Sequence, residues 1–100
     1  MALHYINWSD SGSYKSGWYR GKASRKDCGQ YAYFQFTSVG AGRWTVRRYG
    51  GLSHSVRVCE SGGLVLAECD CYDFLHYGAG FDRACIHIWA VRLRKSLVGC

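Results

Sequence analysis

Four stretches in the middle of the chain have the hydrophobic pattern of strands. In RWTVRRY, Trp44 and Val46 alternate with Thr45 and Arg47, and HSVRVC alternates in the same way. The other two, YAYFQFT and LVLAE, are aromatic-rich and apolar, and the connectors SVGAG, GGLS and ESGG separate the four. Such runs between glycine-containing turns predict antiparallel strands joined in hairpins. The predicted strands are residues 31–37, 43–49, 54–59 and 64–68.

The hydrophobic period changes after Asp82. Apolar residues then recur with the spacing of one helical face, which predicts a helix over residues 86–98. Asp82 is a candidate early cap, basic residues suit the C-terminal half of the helix, and Gly99 is placed to end it. The apolar stripe consists of Ile86, Trp89, Ala90, Leu93 and Leu97.

The N-terminal part of the chain has a weaker pattern. Within residues 1–12, LHYINW is read as a short strand or a docked arm. Residues 13–29 are basic and interrupted by Gly and Ser, so we expect a loop or irregular structure there.

Cysteine and histidine are concentrated in the stretch CDCYDFLHYGAGFDRACIH. It holds a C-x-C pair and a C-x-H pair separated by residues 72–84. A metal site, half of a disulfide framework, a catalytic thiol with its base, and buried packing are the alternatives. Four thiolate and imidazole ligands in two close pairs favour one closed, structural zinc site, with Cys85 before the helix and His87 in its first turn. The candidate ligands are Cys69, Cys71, Cys85 and His87.

This stretch resembles the SWIM zinc finger, whose pattern is C-x-C-x(n)-C-x-H. CDCYDF has the aromatic position after the second cysteine, at Phe74. GAGFDRACIHIWAV is similar to the family's glycine, Cys-x-His and apolar helix, and GRWTVRRYGGLSHSVRV resembles the strands that precede the motif in prokaryotic members. Members commonly have Pro-Cys-Lys-His or Pro-Cys-Ser-His where this chain has Ala84-Cys85-Ile86-His87, a departure that touches no ligand. The similarity covers roughly residues 64–93.

The resemblance implies one structural zinc ion held by the four candidate ligands. SWIM modules occur in transposases, chromatin-remodelling ATPases, partners of recombination proteins and ubiquitin-pathway proteins. The family is taken as a DNA-binding or protein-interaction module and not as an enzyme. We therefore expect one α+β domain, in which a small antiparallel sheet or hairpin pair leads into a zinc-clamped ββα unit with a C-terminal helix. Its expected parts are an irregular basic segment (1–29), antiparallel strands (30–63) and a SWIM-like zinc finger (64–100).

The charge of the chain suggests a partner. Thirteen Lys and Arg against 7 Asp and Glu give a formal net charge of +6, which suits a polyanion. Nucleic acid, with DNA favoured, is the first hypothesis. Arg47 and Arg57 fall on the polar side of the alternation and are expected to share an exposed face, although a solvated face is the simpler interpretation of any single arginine. The candidate contacts are Lys22, Arg25, Lys26, Arg43, Arg47, Arg48, Arg57, Arg92, Arg94 and Lys95.

Two other function classes compete with nucleic-acid binding. An adaptor would hold a protein partner through exposed aromatic side chains, because such residues dominate interface hot spots. An enzyme could pair Cys59 or Cys28 with His54. However, the sequence carries no phosphate loop, paired-carboxylate arrangement or dinucleotide fingerprint, so we expect no enzyme. The aromatic candidates for the adaptor are Trp8, Trp18, Tyr19 and Tyr77.

The expected compartment affects how the remaining cysteines are interpreted. MALHYINWSD lacks the features of a signal peptide, and no stretch approaches the ~20 apolar residues of a membrane span. We therefore expect an intracellular, reducing compartment and no membrane contact, where six cysteines indicate metal or catalysis before disulfides. Cys59 is expected in the core, and Cys28 and Cys100 are expected to be free thiols or a fortuitous pair.

Overall fold

A computed structural model of the chain describes residues 3–9, 13–14 and 23–100. The fold is α+β, as the sequence predicts, with an antiparallel five-stranded sheet and a C-terminal helix. The strands are β1 (His4–Tyr5), β2 (Ser13–Tyr14), β3 (Ala23–Ser24), β4 (Phe34–Gly40), β5 (Arg43–Arg48), β6 (Ser53–Ser61) and β7 (Leu64–Cys69), and the helices are α1 (Arg25–Tyr31) and α2 (Ile86–Arg94). The order across the sheet is β1-β7-β6-β5-β4, while β2 and β3 pair with each other.

The four predicted strands are confirmed, with shifted ends. Consecutive hairpins join β4 to β7, and glycines in the left-handed region, such as Gly62 and Gly63, form the turns. The expected short N-terminal strand is also present, because β1 pairs with β7 and places His4 opposite Ala67. Strand β4 starts at Phe34, three residues later than predicted, because the chain before it is helical.

Helix α1 was not predicted, since residues 13–29 were expected to be irregular. The hydroxyl of Ser24 accepts a hydrogen bond from the backbone N–H of Asp27 (3.0 Å) and caps the helix. The acidic Asp27 also lies in the first turn, where the helix dipole favours it. Seven residues that include Gly29 are too few to show a helical period, so the cap was the only local signal.

Helix α2 ends earlier than predicted. It begins at Ile86, directly after its N-cap Cys85, and stops at Arg94. Asp82 is therefore not its cap, and instead adopts a left-handed conformation (φ 53°). Gly99 does not end the helix either, because it lies in a tail that runs beside β6. Glu60 anchors this tail: its N–H donates to the carbonyl of Val98 (2.8 Å), and its carbonyl accepts from the N–H of Cys100 (2.9 Å).

A disulfide bond fixes the same tail. Cys59 is buried, as expected, but it is bonded to Cys100, so the expectation of a free Cys100 is wrong. The bond closes a sequence separation of 41 residues, which in the chain-entropy picture stabilises the fold by about 4 kcal/mol. Such bonds persist in oxidising compartments, so this one does not support the expected reducing compartment. Across the described ranges, no helix is long and apolar enough to cross a membrane.

The two faces of the five-stranded sheet differ. On one face Val46, Val56 and Ala67 are buried and share a core with Ile88 and Trp89 of α2. The opposite face, called the open face below, carries mainly polar side chains, because residues alternate between the two faces of a strand. Its polar members are Gln35, Thr37, Arg43, Thr45, Arg47, Ser53, Ser55, Arg57 and Glu68.

Gly29 sets the distance between α1 and α2. A Cβ at this position would lie 2.6 Å from the Cβ of Trp89 and 2.9 Å from the backbone nitrogen of Ala90. Replacing Gly29 with Ala should therefore push the helices apart and lower the free energy of unfolding by about 1–3 kcal/mol, despite the better helix propensity of alanine. Gly80→Ala is the matched control, since a Cβ there meets nothing within 4 Å. Urea denaturation of both variants measures the difference, and equal stabilities would show that α1 does not pack on α2 this closely.

Candidate metal centre

The two Cys/His pairs come together where β7 meets α2. Cys69 is the last residue of β7 and Cys71 follows it, whereas Cys85 caps α2 and His87 lies in its first turn. All four side chains are buried, and their ligand atoms lie within 4.8 Å of one another. This is the convergence that the sequence predicts, and these four groups can hold a metal ion.

The chain between the pairs is partly helical. Residues 74–78 form a π-helical turn and residues 79–81 a 3-10 turn, whereas the sequence predicted a plain loop. Phe74 anchors this segment, because its ring is buried and meets the ring of His4 edge-on at 5.4 Å. Gly78 is required beneath it, since a Cβ there would lie 2.6 Å from both the Phe74 ring and the carbonyl oxygen of Arg83. His76 is exposed and lies outside the cluster.

The three buried thiols do not readily ionise together unless a cation is bound. Hydrogen bonds from Cys69 and Cys85 lower the pKa of Cys71, and the backbone N–H of Phe74 also donates to its sulfur (3.4 Å). The hydrogen bond that Cys69 shares with Cys71 raises the pKa of Cys69. Burial raises the pKa of Cys85 well above its usual value. One thiolate thus forms at the expense of the other two, and a divalent cation would let all three ionise together.

Further side chains hold the ligands in place. His87 Nδ1 lies 3.8 Å from the sulfur of Cys85, and the rings of His54 and His87 pack with centroids 4.6 Å apart. His54 in turn hydrogen-bonds the carboxylate of Asp70 (3.1 Å), which also accepts from the N–H of Ser55 (3.1 Å). Outer contacts of this kind orient metal ligands. The sequence analysis did not identify Asp70 and considered His54 only as the partner of a catalytic cysteine. The position of Asp70 between two candidate ligands was nevertheless a signal that it lies beside the site.

The structure places three of the predicted basic residues on the open face. Arg43 and Arg57 are direct cross-strand neighbours, and Arg47 projects from the same face further along β5, beyond Thr45. Arg47 is exposed and donates two hydrogen bonds to the side-chain oxygen of Gln35. Arg48 instead lies on the covered face, opposite Phe34.

Two other residues predicted to contact nucleic acid bind neighbouring parts of the chain itself. Arg25 is buried and forms a two-pronged ion pair with Asp73, with both N–O distances 2.9 Å, so it links α1 to the segment after Cys71. Arg94 donates to the carbonyls of Gln30 and Ala32 (both 2.6 Å) at the end of α1.

Three further predicted contacts, in α1, in α2 and at the C-cap of α2, lie over aromatic rings. Lys22 lies outside the described residues. Cation–π contacts of this kind contribute modestly to stability at exposed sites. The contacts are Lys26 over Trp89, Arg92 over Trp8, and Lys95 over Phe36 and Trp44.

Comparison of the chain with models of known protein families, with curated proteins and with solved structures finds no match. The cluster is compatible with a zinc finger, and membership of the SWIM family stays a prediction.

Substituting one cysteine inside the four-residue cluster and one buried cysteine outside it tests whether the cluster holds a metal ion. Cys28 is free and fully buried, so Cys28→Ala should lower the free energy of unfolding by about 1 kcal/mol. Cys71→Ala removes a ligand. Structural metal sites have apparent binding free energies of ~10–16 kcal/mol, against a usual domain stability of ~5–15 kcal/mol, so this variant should lose the fold around β7 and α2. Circular dichroism and tryptophan emission report the loss, and equal effects of the two substitutions would contradict a metal centre.

Proposed function

We propose that this chain is a zinc-stabilised module that binds nucleic acid through the open face of its sheet. Three cysteines and one histidine are a donor set that suits zinc. With four protein ligands the coordination shell is closed, which is the arrangement of a structural ion. The metal then joins β7 to α2 and supports the surface that binds.

The observation that carries this proposal is the placement of Arg43, Arg47 and Arg57 on one face. Arg43 faces Arg57 across β5 and β6, and Glu68 faces Arg57 from β7, so these three side chains and Arg47 carry three positive charges against one negative charge. This excess of positive charge suits a polyanion, whose phosphates can accept hydrogen bonds from the guanidinium groups. We favour the open face over α2 as the binding surface, because the basic residues of α2 and its C-cap contact the chain's own aromatic rings and carbonyls.

The nucleic acid we favour is DNA, on the resemblance to SWIM modules. Neighbouring hydroxyl and amide groups support phosphate contacts, since side chains of this type donate to phosphate oxygens in protein–DNA complexes. Those on the open face are Gln35, Thr37, Thr45, Ser53 and Ser55.

A protein-interaction adaptor is the second candidate function. The segment between the Cys/His pairs exposes four large apolar side chains, each at least half exposed. Tyr72 also stacks on His76 with ring centroids 4.0 Å apart. Of the aromatic residues that the sequence suggested, Tyr77 belongs to this patch, Trp8 is half-buried, and Trp18 and Tyr19 lie outside the described residues. The exposed members are Tyr72, Leu75, Tyr77 and Phe81.

Salt dependence tests the proposed surface. If three arginines neutralise phosphates, the logarithm of the binding constant should fall with the logarithm of salt concentration with a slope of about −2 to −3. Arg43→Ala and Arg47→Ala should each reduce that slope by about 1 for every sequence tested. Lys26→Ala removes the same charge from helix α1, away from the open face, and should leave the slope unchanged. Fluorescence anisotropy with single- and double-stranded DNA and RNA supplies the measurement.

The same experiment separates the two functions. Salt-independent binding, or an equal effect of Lys26→Ala and Arg47→Ala, would argue against the open face. A protein partner that remains bound after nuclease treatment and is released by Tyr72→Ser would favour the adaptor.

A further inference from the structure

One carboxylate, that of Glu68, lies among the arginines of the open face. The register aligns Arg43 of β5, Arg57 of β6 and Glu68 of β7 in one row across three strands. Glu68 is only 8 % exposed, and within the described part of the chain neither its Oε2 nor the Nε of Arg57 has a hydrogen-bond partner. Leaving a buried polar group unsatisfied is costly, so such a group calls for an explanation.

The row borders a cavity of about 120 Å³. Arg43, Arg57 and Glu68 all line it, together with Ser55, Val39 and Trp44. Arg43 is exposed and lines this cavity, so the cavity is reached from the open face. The cavity thus offers a carboxylate acceptor and two guanidinium donors within one small volume.

The charges of the row restrict the ligand that fits. A free anion would satisfy the guanidinium groups but would be repelled by Glu68, and a cation would be repelled by two arginines. The complementary group is therefore neutral, with N–H donors for the carboxylate beside acceptors for an arginine. A nucleobase edge has this alternation of donors and acceptors.

Among the bases, guanine matches the row best. Its N1–H and 2-amino group are adjacent donors that a carboxylate can accept together. Its O6 and N7 are adjacent acceptors to which an arginine donates in the commonest specific contact in nucleic-acid complexes. Adenine and cytosine offer a single amino group, and neither has the second adjacent N–H.

We propose that this cavity takes an unpaired guanine of a bound strand. Glu68 accepts from N1–H and the 2-amino group, and Arg57 donates to O6 and N7, while Arg43 and Arg47 contact phosphates of the strand. The proposal rests on the proposed nucleic-acid binding and deepens it, because it names the base that the open face selects.

The test uses the full chain and oligothymidylates in which one central position is varied. Guanine at that position should bind about tenfold more tightly than adenine, cytosine or thymine. Hypoxanthine lacks the 2-amino group and 7-deazaguanine lacks N7, so each should lose a large part of this preference. These comparisons need no protein variant, and an absence of any guanine preference in the unmodified protein overturns the proposal.

Glu68→Gln tests the carboxylate directly. An amide offers one acceptor and one donor, so the guanine preference should fall at least severalfold while binding to plain oligothymidylate is kept or improved. Glu60→Gln is the matched control, because it removes the same charge from an exposed position of β6 outside the cavity. A guanine preference that survives Glu68→Gln, or that Glu60→Gln also abolishes, overturns the assignment to Glu68.

The outcomes separate this proposal from the proposed function. Salt-dependent binding of oligothymidylate without base preference keeps nucleic-acid binding and rejects the guanine site, whereas no binding to any strand rejects both. Guanosine monophosphate is tested in parallel because it presents the same edges. Tighter binding of the free nucleotide than of the oligonucleotide would overturn the assignment to a strand.

Discussion

Three buried thiols and one buried imidazole lie within 4.8 Å of one another at the junction of β7 and α2, and the rest of the fold is arranged around them. Without a cation only one of the thiols can readily ionise, because burial and neighbouring sulfurs disfavour more negative charge. A divalent ion bound here would allow all three thiols to ionise, and its four bonds would join the last strand of the sheet to the helix that covers it.

The elements around this junction are joined by contacts of different kinds. The ion pair of Arg25 with Asp73 links α1 to the segment after Cys71, and the close approach at Gly29 sets α1 against α2. The disulfide between Cys59 and Cys100 holds the tail beside β6. Cys59 follows Arg57 by two residues on the same face of β6, so the disulfide borders the arginines of the open face.

The sequence predicted the parts that depend on local pattern. Alternation located β5 and β6 and indicated that Arg47 and Arg57 share a face, and aromatic or apolar runs between turn signals located β4 and β7. The spacing of two Cys/His pairs identified the four clustered groups. What it missed depends on contacts between distant residues. Arg25 looked like a surface cation, but its partner Asp73 is 48 positions away. Helix α2 stops at Arg94, and the tail beyond it pairs with Glu60, a contact between distant residues that no helical period records. The row that Glu68 forms with Arg57 and Arg43 likewise follows only from the strand register.

We propose that the buried sulfurs and the imidazole stabilise the fold by holding a metal ion, while the open face binds nucleic acid. Elemental analysis of the protein, purified without chelator, tests this account most directly. We expect one zinc ion per chain in the folded protein and its loss in His87→Ala. A folded protein that contains no metal, and whose circular dichroism and tryptophan emission are unchanged by a strong chelator, would contradict it.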